Sequence, residues 1–573
     1  MKKAVILLAI IIVAAFGINN RSQTVLPPID DNHVMMSGPV LPSSGPVALM
    51  PLIGRQDVVG YTTWDWQVNG PVGSWCRYDA VANGIHSYWM WCDGVSANRN
   101  ERYNFYDFAS RTWNWPASGI NCFLIRSGYG SFDYDPIMGL GVPSTHHGST
   151  GTIYTELARD MAPGGGVFEY SAQPIGYEWP YHGVTNNRAI HIAAVEQVFG
   201  DSLFYIKNSP WNTWSAATRM ANFGDDPMFP DYNIAVSKTS NKVAVMWQLS
   251  EDVNLQQRAF YRQSTDGGNT WGAQTQIPFP PETQFTPTYS IVSLFGMFDN
   301  SDNLRIVVSD QDTSQGVFPA AIWLYSPSLP SPWTHVYTYW PDTFIPFGVS
   351  FYNANFVDRP SVVQAPGTSG NFYVAWERFD SLNYEPITTL PRAEIMVAEL
   401  TNNGQTLSRI ANITDPNTTS KRFPVLGGVK ADTVFVQYMI DSIAGFELYT
   451  QGRFTFNPIV LHRFHRLQLL PAIEEGNPTK IYNLTLNSAL PNPSNFTTKI
   501  SYSIPTTSKV DLTIYDILGR PIRTLVSGTK HAGEYSTIWD GRTDSGKKAE
   551  AGIYFYTLKT TDHSISNKLV RTN

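Results

Sequence analysis

Three arginines share a setting. Arg188, Arg359 and Arg422 each stand just before a run of alternating apolar residues that reads as a β-strand. If those strands are equivalent members of one repeated unit, three guanidinium groups can converge on one anionic group, because the planar fork matches carboxylate geometry. The competing reading pairs them with loop carboxylates such as Asp358. Asp57, Asp65 and Asp79 are early candidate acids. Hydrolysis of a glycosidic bond needs two carboxyl groups at a defined separation. Nothing in the spacing pairs these three with a partner or separates them from turn aspartates, so no catalytic residue is assigned. His146-His147 are adjacent, and neighbours in an extended strand face opposite sides, so the stretch reads as a polar loop and no metal site is expected there. No cofactor is expected either. Trp64-Asp65-Trp66 and Trp89-Met90-Trp91 could stack on sugar rings, but one indole of each pair in the core and the other between sheets is the stronger reading.

The elements that must position these groups are strands. Charged residues are 15% of 573, against roughly 25% in an average soluble protein. With 13% aromatics the chain can bury a large core, which excludes global disorder. A net charge of −7 argues against a general nucleic-acid partner. Helical periodicity is almost absent. Instead a strand, a polar turn and a second strand recur: Arg188–Ile192 with Leu203–Ile206, Asp231–Val236 with Lys242–Trp247, Arg359–Val363 with Phe372–Trp376, and Arg422–Leu426 with Val434–Tyr438. These read as the two inner strands of successive sheets.

A sharper mark is Ser264-Thr265-Asp266-Gly267-Gly268-Asn269-Thr270-Trp271. Asp accepts hydrogen bonds from turn amides, Gly supplies positive φ, and Trp packs beneath the turn. The stretch resembles the Asp-box of sialidase-like (BNR-type) β-propellers, with Ser264, Asp266, Gly268, Thr270 and Trp271 as its structural residues. Weaker copies end at Trp214, 57 residues upstream, and at Trp333, 62 downstream; others fall at Trp113 and near Phe168, Leu407 and Phe456. Seven marks over residues 51–467 imply an all-β, seven-bladed propeller, with six or eight blades as alternatives. In sialidases an arginine triad grips the substrate carboxylate. Only that idea carries over to Arg188, Arg359 and Arg422 as ligand-binding residues, since the other sialidase motifs are missing.

The two ends differ from this body. Lys2 and Lys3 precede an apolar run from Ala4 to Phe16, and Ala15-Phe16-Gly17 suits a signal peptidase, so residues 1–17 read as a secretory signal peptide. The run is short of the roughly 20 residues that span a bilayer, and no other stretch is long enough, so no membrane span is expected in the mature chain. Residues 18–50 read as a Pro- and Ser-rich linker. Cys76, Cys92 and Cys122 leave open one disulfide with a free thiol, or three thiols. Four Asn-x-Ser/Thr sequons occur, at Asn412, Asn417, Asn483 and Asn495.

After a linker at 468–483, residues 484–573 read as a small β-sandwich. Val510, Leu512 and Ile514 alternate with polar residues, and Leu518-Gly519-Arg520 makes a turn. Pro491-Asn492-Pro493, Tyr515-Asp516 with Gly519-Arg520, Trp539-Asp540-Gly541-Arg542, Gly552-Ile553-Tyr554 and a final Lys568-Leu569-Val570 follow in order. That order resembles the C-terminal sorting domain of type IX secretion cargo, a relative of the Ig-like domain of flagellar hook-capping proteins. The resemblance implies an outer-membrane secretion machinery as partner. The Trp539–Gly546 segment leans toward the hook-capping subgroup.

The expectation is a secreted or cell-surface propeller that binds glycan or extracellular protein without catalysis. A sialidase-like glycoside hydrolase and a cell-envelope scaffold or adhesin are the alternatives.

Overall fold

A computed structural model describes residues 53–572 except 69–72, 150–151, 172–175, 197–201, 224–230, 251–256, 282–288, 313–319, 340–356, 368–369, 415–417, 447–454, 472–483, 505–507, 531–532 and 561–562. The expected signal peptide and the 18–50 linker lie outside the described residues.

The chain divides into two units between Ala472 and Ile473. The first is a β-propeller. Among the described residues it holds seven antiparallel sheets. Their innermost strands are Cys76–Asp79, Phe132–Asp135, Tyr177–Val184, Tyr232–Val236, Tyr289–Phe298, Val357–Gln364 and Ser420–Lys430. Each packs on its successor, and the seventh packs on the first, so the ring closes. The range of six to eight blades thus resolves to seven.

Closure uses the N-terminal strand. Arg55–Thr62 pairs antiparallel with Asn457–His465 and becomes the outer strand of the seventh sheet, with Arg55 opposite Arg463 and Thr62 opposite Asn457. This explains the odd seventh mark. Phe168 and Leu407 lie in fourth strands and Trp271 in the turn before one, whereas Phe456 precedes the third strand of its sheet. Gly60 makes the seam fit: a Cβ there would stand 2.2 Å from the Trp89 ring of the first sheet.

Sheets buried on both faces need near-continuous apolar strands. Val243–Ser250 shows why. Val243, Val245 and Trp247 join one core cluster, while Ala244 and Met246 join another. Trp247 and Trp376 are wholly buried, and losing such an indole to Ala costs about 3–5 kcal/mol. Trp64, Trp66 and Trp89 are also core, while Trp91 is half-buried beneath the Arg102 guanidinium, 3.8 Å from its ring. The three cysteines are free and buried, and burial pushes the Cys76 thiol up to about 12.

The Ser264–Trp271 turn is held by its own side chains. Asp266 Oδ1 accepts from the amides of Asn269 and Thr270 at 3.0 and 2.9 Å, and Thr270 Oγ1 donates to Oδ2 at 2.6 Å. The amide of Gly268 donates to Ser264 Oγ at 2.8 Å. These bonds hold the Asp266 carboxyl well below its ordinary range. Gly268 has φ +77, and its missing Cβ makes room for the Tyr205 hydroxyl of the preceding sheet. Trp271 meets the same Tyr205 edge-on at 4.7 Å.

The propeller runs slightly past the expected boundary at 467, because Leu470–Pro471 still pairs with Thr406–Asn412. The second unit is an Ig-like sandwich. Thr485–Leu486, Thr498–Ile504 and Gly533–Trp539 form one sheet; Pro521–Lys530, Ser508–Asp516, Gly552–Lys559 and Ser564–Arg571 form the other. Val510, Leu512, Ile514, Tyr554, Tyr556 and Leu558 fill the core, while Ile553 and Phe555 face outward. Asp516 closes the Gly519-Arg520 turn, accepting from the amides of Leu518 and Arg520 at 3.0 and 2.9 Å. Asn492, between Pro491 and Pro493, ties its segment to the last strand through the carbonyl of Lys568 and the amide of Val570.

Candidate binding site in the central channel

Three innermost strands begin with the same kink. In Glu178-Trp179-Pro180-Tyr181, Asp358-Arg359-Pro360-Ser361 and Arg422-Phe423-Pro424-Val425 the pairing register slips by one or more residues. The residue before proline carries positive φ: Trp179 53°, Arg359 50° and Phe423 60°. Proline cannot donate to the ladder, so a bulge is where it is tolerated in a sheet. A bulge also re-aims side chains, here at one end of the channel. Just ahead of the second innermost strand, Tyr129 has φ 54° as well.

Around this mouth the charged groups cluster on the sixth and seventh sheets. Glu377 is fully buried. It meets Arg359 Nη1, accepts from Arg422 Nε at 3.1 Å and Nη2 at 3.3 Å, and accepts from the Phe423 amide at 3.0 Å. Burial would raise its carboxyl, but the two guanidinium groups outweigh that and hold it below the usual range. The arginines then diverge. Burial lowers both, yet Arg359 ends raised because Glu377, Asp358 and Asp231 all face it. Arg422 ends lowered because burial, together with repulsion from Arg359, outweighs Glu377 and Asp441. Arg422 sits among the rings of Phe379, Phe423 and Phe446, at 4.9, 5.2 and 4.6 Å. Burial pushes the Asp441 carboxyl up.

The second to fourth sheets supply an aromatic wall. Tyr129 stacks on His146 at 5.7 Å, and His146 meets Trp179 edge-on at 6.4 Å. Tyr232 donates to the Trp179 carbonyl at 2.7 Å and meets Tyr181 edge-on at 5.3 Å. Burial, then Asp231, push the Tyr181 hydroxyl far up while Arg359 pulls it back. Tyr181 of the wall thus feels the charge of Arg359. The first sheet holds Tyr129 in place: Arg99 lies 4.9 Å from the Trp64 ring and 4.8 Å from the Tyr129 ring, and the Gly130 amide donates to Glu101 at 2.9 Å. This end of the ring thus gathers hydrogen-bond donors, acceptors and aromatic rings, most of them buried.

The arginine triad does not assemble. Arg359 and Arg422 converge, and on a carboxylate of the protein. Arg188 lies in the hairpin between first and second strands of the third sheet, pairing with Asp135 at 2.5 Å. The strand runs on six residues from Trp179 to the turn at Thr185, about 20 Å at ~3.3 Å per residue, so Arg188 in that turn sits at the other end of its sheet. Ile190–Glu196 is a second strand, so the pair Arg188–Ile192 with Leu203–Ile206, expected to be the inner two, is the second and third of its sheet. Asp57 pairs with Arg55 at 3.0 Å and with Arg463 at 2.5 Å. Asp79 caps its turn through the Val81 amide at 2.7 Å and lies 3.3 Å from His86. Asp65 is buried between Trp64 and Trp66. His146 and His147 lie not in a polar loop but in the strand Leu140–Ser149, where they part as adjacent strand residues must, His147 going to Glu156 at 3.3 Å.

Residues 494–564 match the FlgD Ig-like domain. No curated protein matches the chain significantly. Similar solved structures include an ulvan lyase of polysaccharide lyase family PL25 bound to -[GlcA(1-4)Rha3S]-. It is 9% identical, with TM-score 0.46, over 72% of this chain and 96% of that one. The α-L-arabinofuranosidase Arb93A of Fusarium graminearum is 10% identical, with TM-score 0.37, over 60% and 97%. The β-propeller domain of the trilobed protease of Pyrococcus furiosus is 8% identical, with TM-score 0.34, over 65% and 91%.

Burial pushes the Glu101 carboxyl up to about 7 and the His182 imidazole down to about 4. A raised carboxyl favours the folded state most below its ordinary pKa near 4.5, and that contribution fades as pH climbs to 7. A depressed imidazole works oppositely, its contribution fading as pH falls from 6.5 toward 4. Glu101→Gln is therefore expected to flatten the decline in urea midpoint between pH 5 and 8 and to leave the acid limb in place. An unchanged alkaline slope would contradict the assignment.

Proposed function

We propose that this chain is an exported β-propeller whose channel mouth binds a glycan. The observation that carries the reading is the mouth itself: aromatic side chains from the second to fourth sheets face a buried arginine and carboxylate cluster on the sixth and seventh. Rings give a sugar its flat apolar contact, and guanidinium and carboxylate groups its hydrogen bonds. The reading favours binding over turnover, because Glu377 already has two guanidinium groups and an amide upon it and lacks a free role as acid or base. The Ser264–Trp271 turn, with its resemblance to the Asp-box, serves as scaffold.

A glycan array probed with the full chain tests this. Retention of at least one glycan class is expected, with Trp179→Ala weakening it tenfold or more and Arg188→Ala, at the far end of the channel, leaving it unchanged. An empty array, or equal loss in both variants, would overturn the reading.

The Ig-like unit is proposed as the export module, read by an outer-membrane secretion machinery. Its motif residues Asn492, Asp516, Gly519 and Tyr554 support this by building the turns and core of a self-contained sandwich. Removing residues 484–573 is expected to hold the propeller in the periplasm on cell fractionation; equal release with and without them would refute the proposal.

A further inference from the structure

We infer that the sugar recognised at this mouth is neutral, a hydroxyl-rich glycan rather than one carrying carboxylate or sulfate groups. The inference rests on the glycan-binding reading above and narrows its ligand class.

Arg359 supplies the first observation. Its side chain is 2% exposed and Nη1 is taken by Glu377. Nε and Nη2 have no hydrogen-bond partner among the described residues. Buried donors without acceptors are uncommon in folded proteins. These belong to a bulged residue at the channel mouth, whose charge reaches Asp231 and Tyr181 on two other sheets. An oxygen arriving in the channel would satisfy them.

The second observation is what surrounds that arginine. Glu377 touches it, Asp358 lies 3.7 Å away, and Asp231 faces it from the fourth sheet. Two guanidinium groups, of Arg359 and Arg422, therefore stand among four carboxylates, Asp441 beside Arg422 being the fourth. An oxyanion held by Arg359 would bring one more negative charge into that group. A hydroxyl or ring oxygen accepts the same N–H bonds with no such repulsion. The wider field points the same way: residues 1–483 carry 29 basic and 40 acidic side chains, so a polyanion is repelled before it arrives. Trp179 is half-buried and offers a ring to the uncharged face of a sugar, while Tyr181, Tyr232 and Phe423 are buried.

Calorimetric titration of the full chain separates the cases. One panel holds neutral hexasaccharides of arabinan, xylan, mannan and cellulose; the other holds hexagalacturonate, a hyaluronan hexasaccharide, sialyllactose and a heparin hexasaccharide. A neutral member is expected to bind, with affinity unchanged within twofold between 50 and 500 mM salt. Arg359→Gln should lower that affinity tenfold or more. The double variant Arg359→Gln/Glu377→Gln, which removes one charge of each sign, should melt as a folded protein and show the same loss. An anionic member binding more tightly than every neutral one would overturn the inference while the glycan reading stands. Unchanged neutral affinity in the folded double variant would overturn it too. Binding by neither panel would overturn both.

Discussion

One buried carboxylate governs the end of the channel. Glu377 comes from the second strand of the sixth sheet, and its partners come from the innermost strands of the sixth and seventh. Three ionised groups out of water carry a desolvation cost of several kcal/mol each, offset only when geometry and hydrogen bonds are complete. Both Glu377 oxygens meet that condition. Arg359 does not. Glu377 is shared between two guanidinium groups, and Arg359 Nε and Nη2 are left without a hydrogen-bond partner among the described residues. The binding chemistry of the mouth follows from that imbalance.

The same region carries the ring's closure. The seventh sheet is assembled from both ends of the propeller, its inner three strands from residues 420–465 and its outer strand from Arg55–Thr62. Linking the sixth and seventh sheets through Glu377 fixes the inner edge of the sheet that the N-terminal strand completes outside. The bulges at Trp179, Arg359 and Phe423 hold non-glycine residues at positive φ, a conformation of order 1–3 kcal/mol above the relaxed backbone. Packing around the mouth maintains them: Arg359 and Phe423 are buried.

Much of the scaffold was legible because it is written locally. Strand alternation gave three of four inner pairs, and the Ser264–Trp271 turn announces its own hydrogen bonds in consecutive residues. The Ig-like unit was legible for the same reason: Asp516 and Gly519-Arg520 form one turn, and alternate residues from Val510 to Ile514 fill one core. What escaped was long-range or a matter of register. Arg188 looked equivalent to Arg359 because it too precedes an apolar run, but that run is one strand further out. A better signal was present in Trp179-Pro180, Arg359-Pro360 and Phe423-Pro424, where proline at the start of a strand marks a bulge. Arg359 and Arg422 were then aligned one residue out of step, since Arg422 precedes the kinked residue and Arg359 is it. Nothing local marks Glu377, which meets Arg422 45 residues away. The seventh sheet hid its outer strand because that strand lies some 400 residues from its neighbour.

The direct test is a double-mutant cycle on unfolding of the propeller, combining Arg422→Met with Arg359→Met in the presence of Glu377. If both guanidinium groups share one buried carboxylate, the second loss differs from the first by about 1–3 kcal/mol, the coupling expected of residues in one network. Additive losses within about 0.3 kcal/mol would mean that the two arginines are independent and that the mouth is not organised around Glu377.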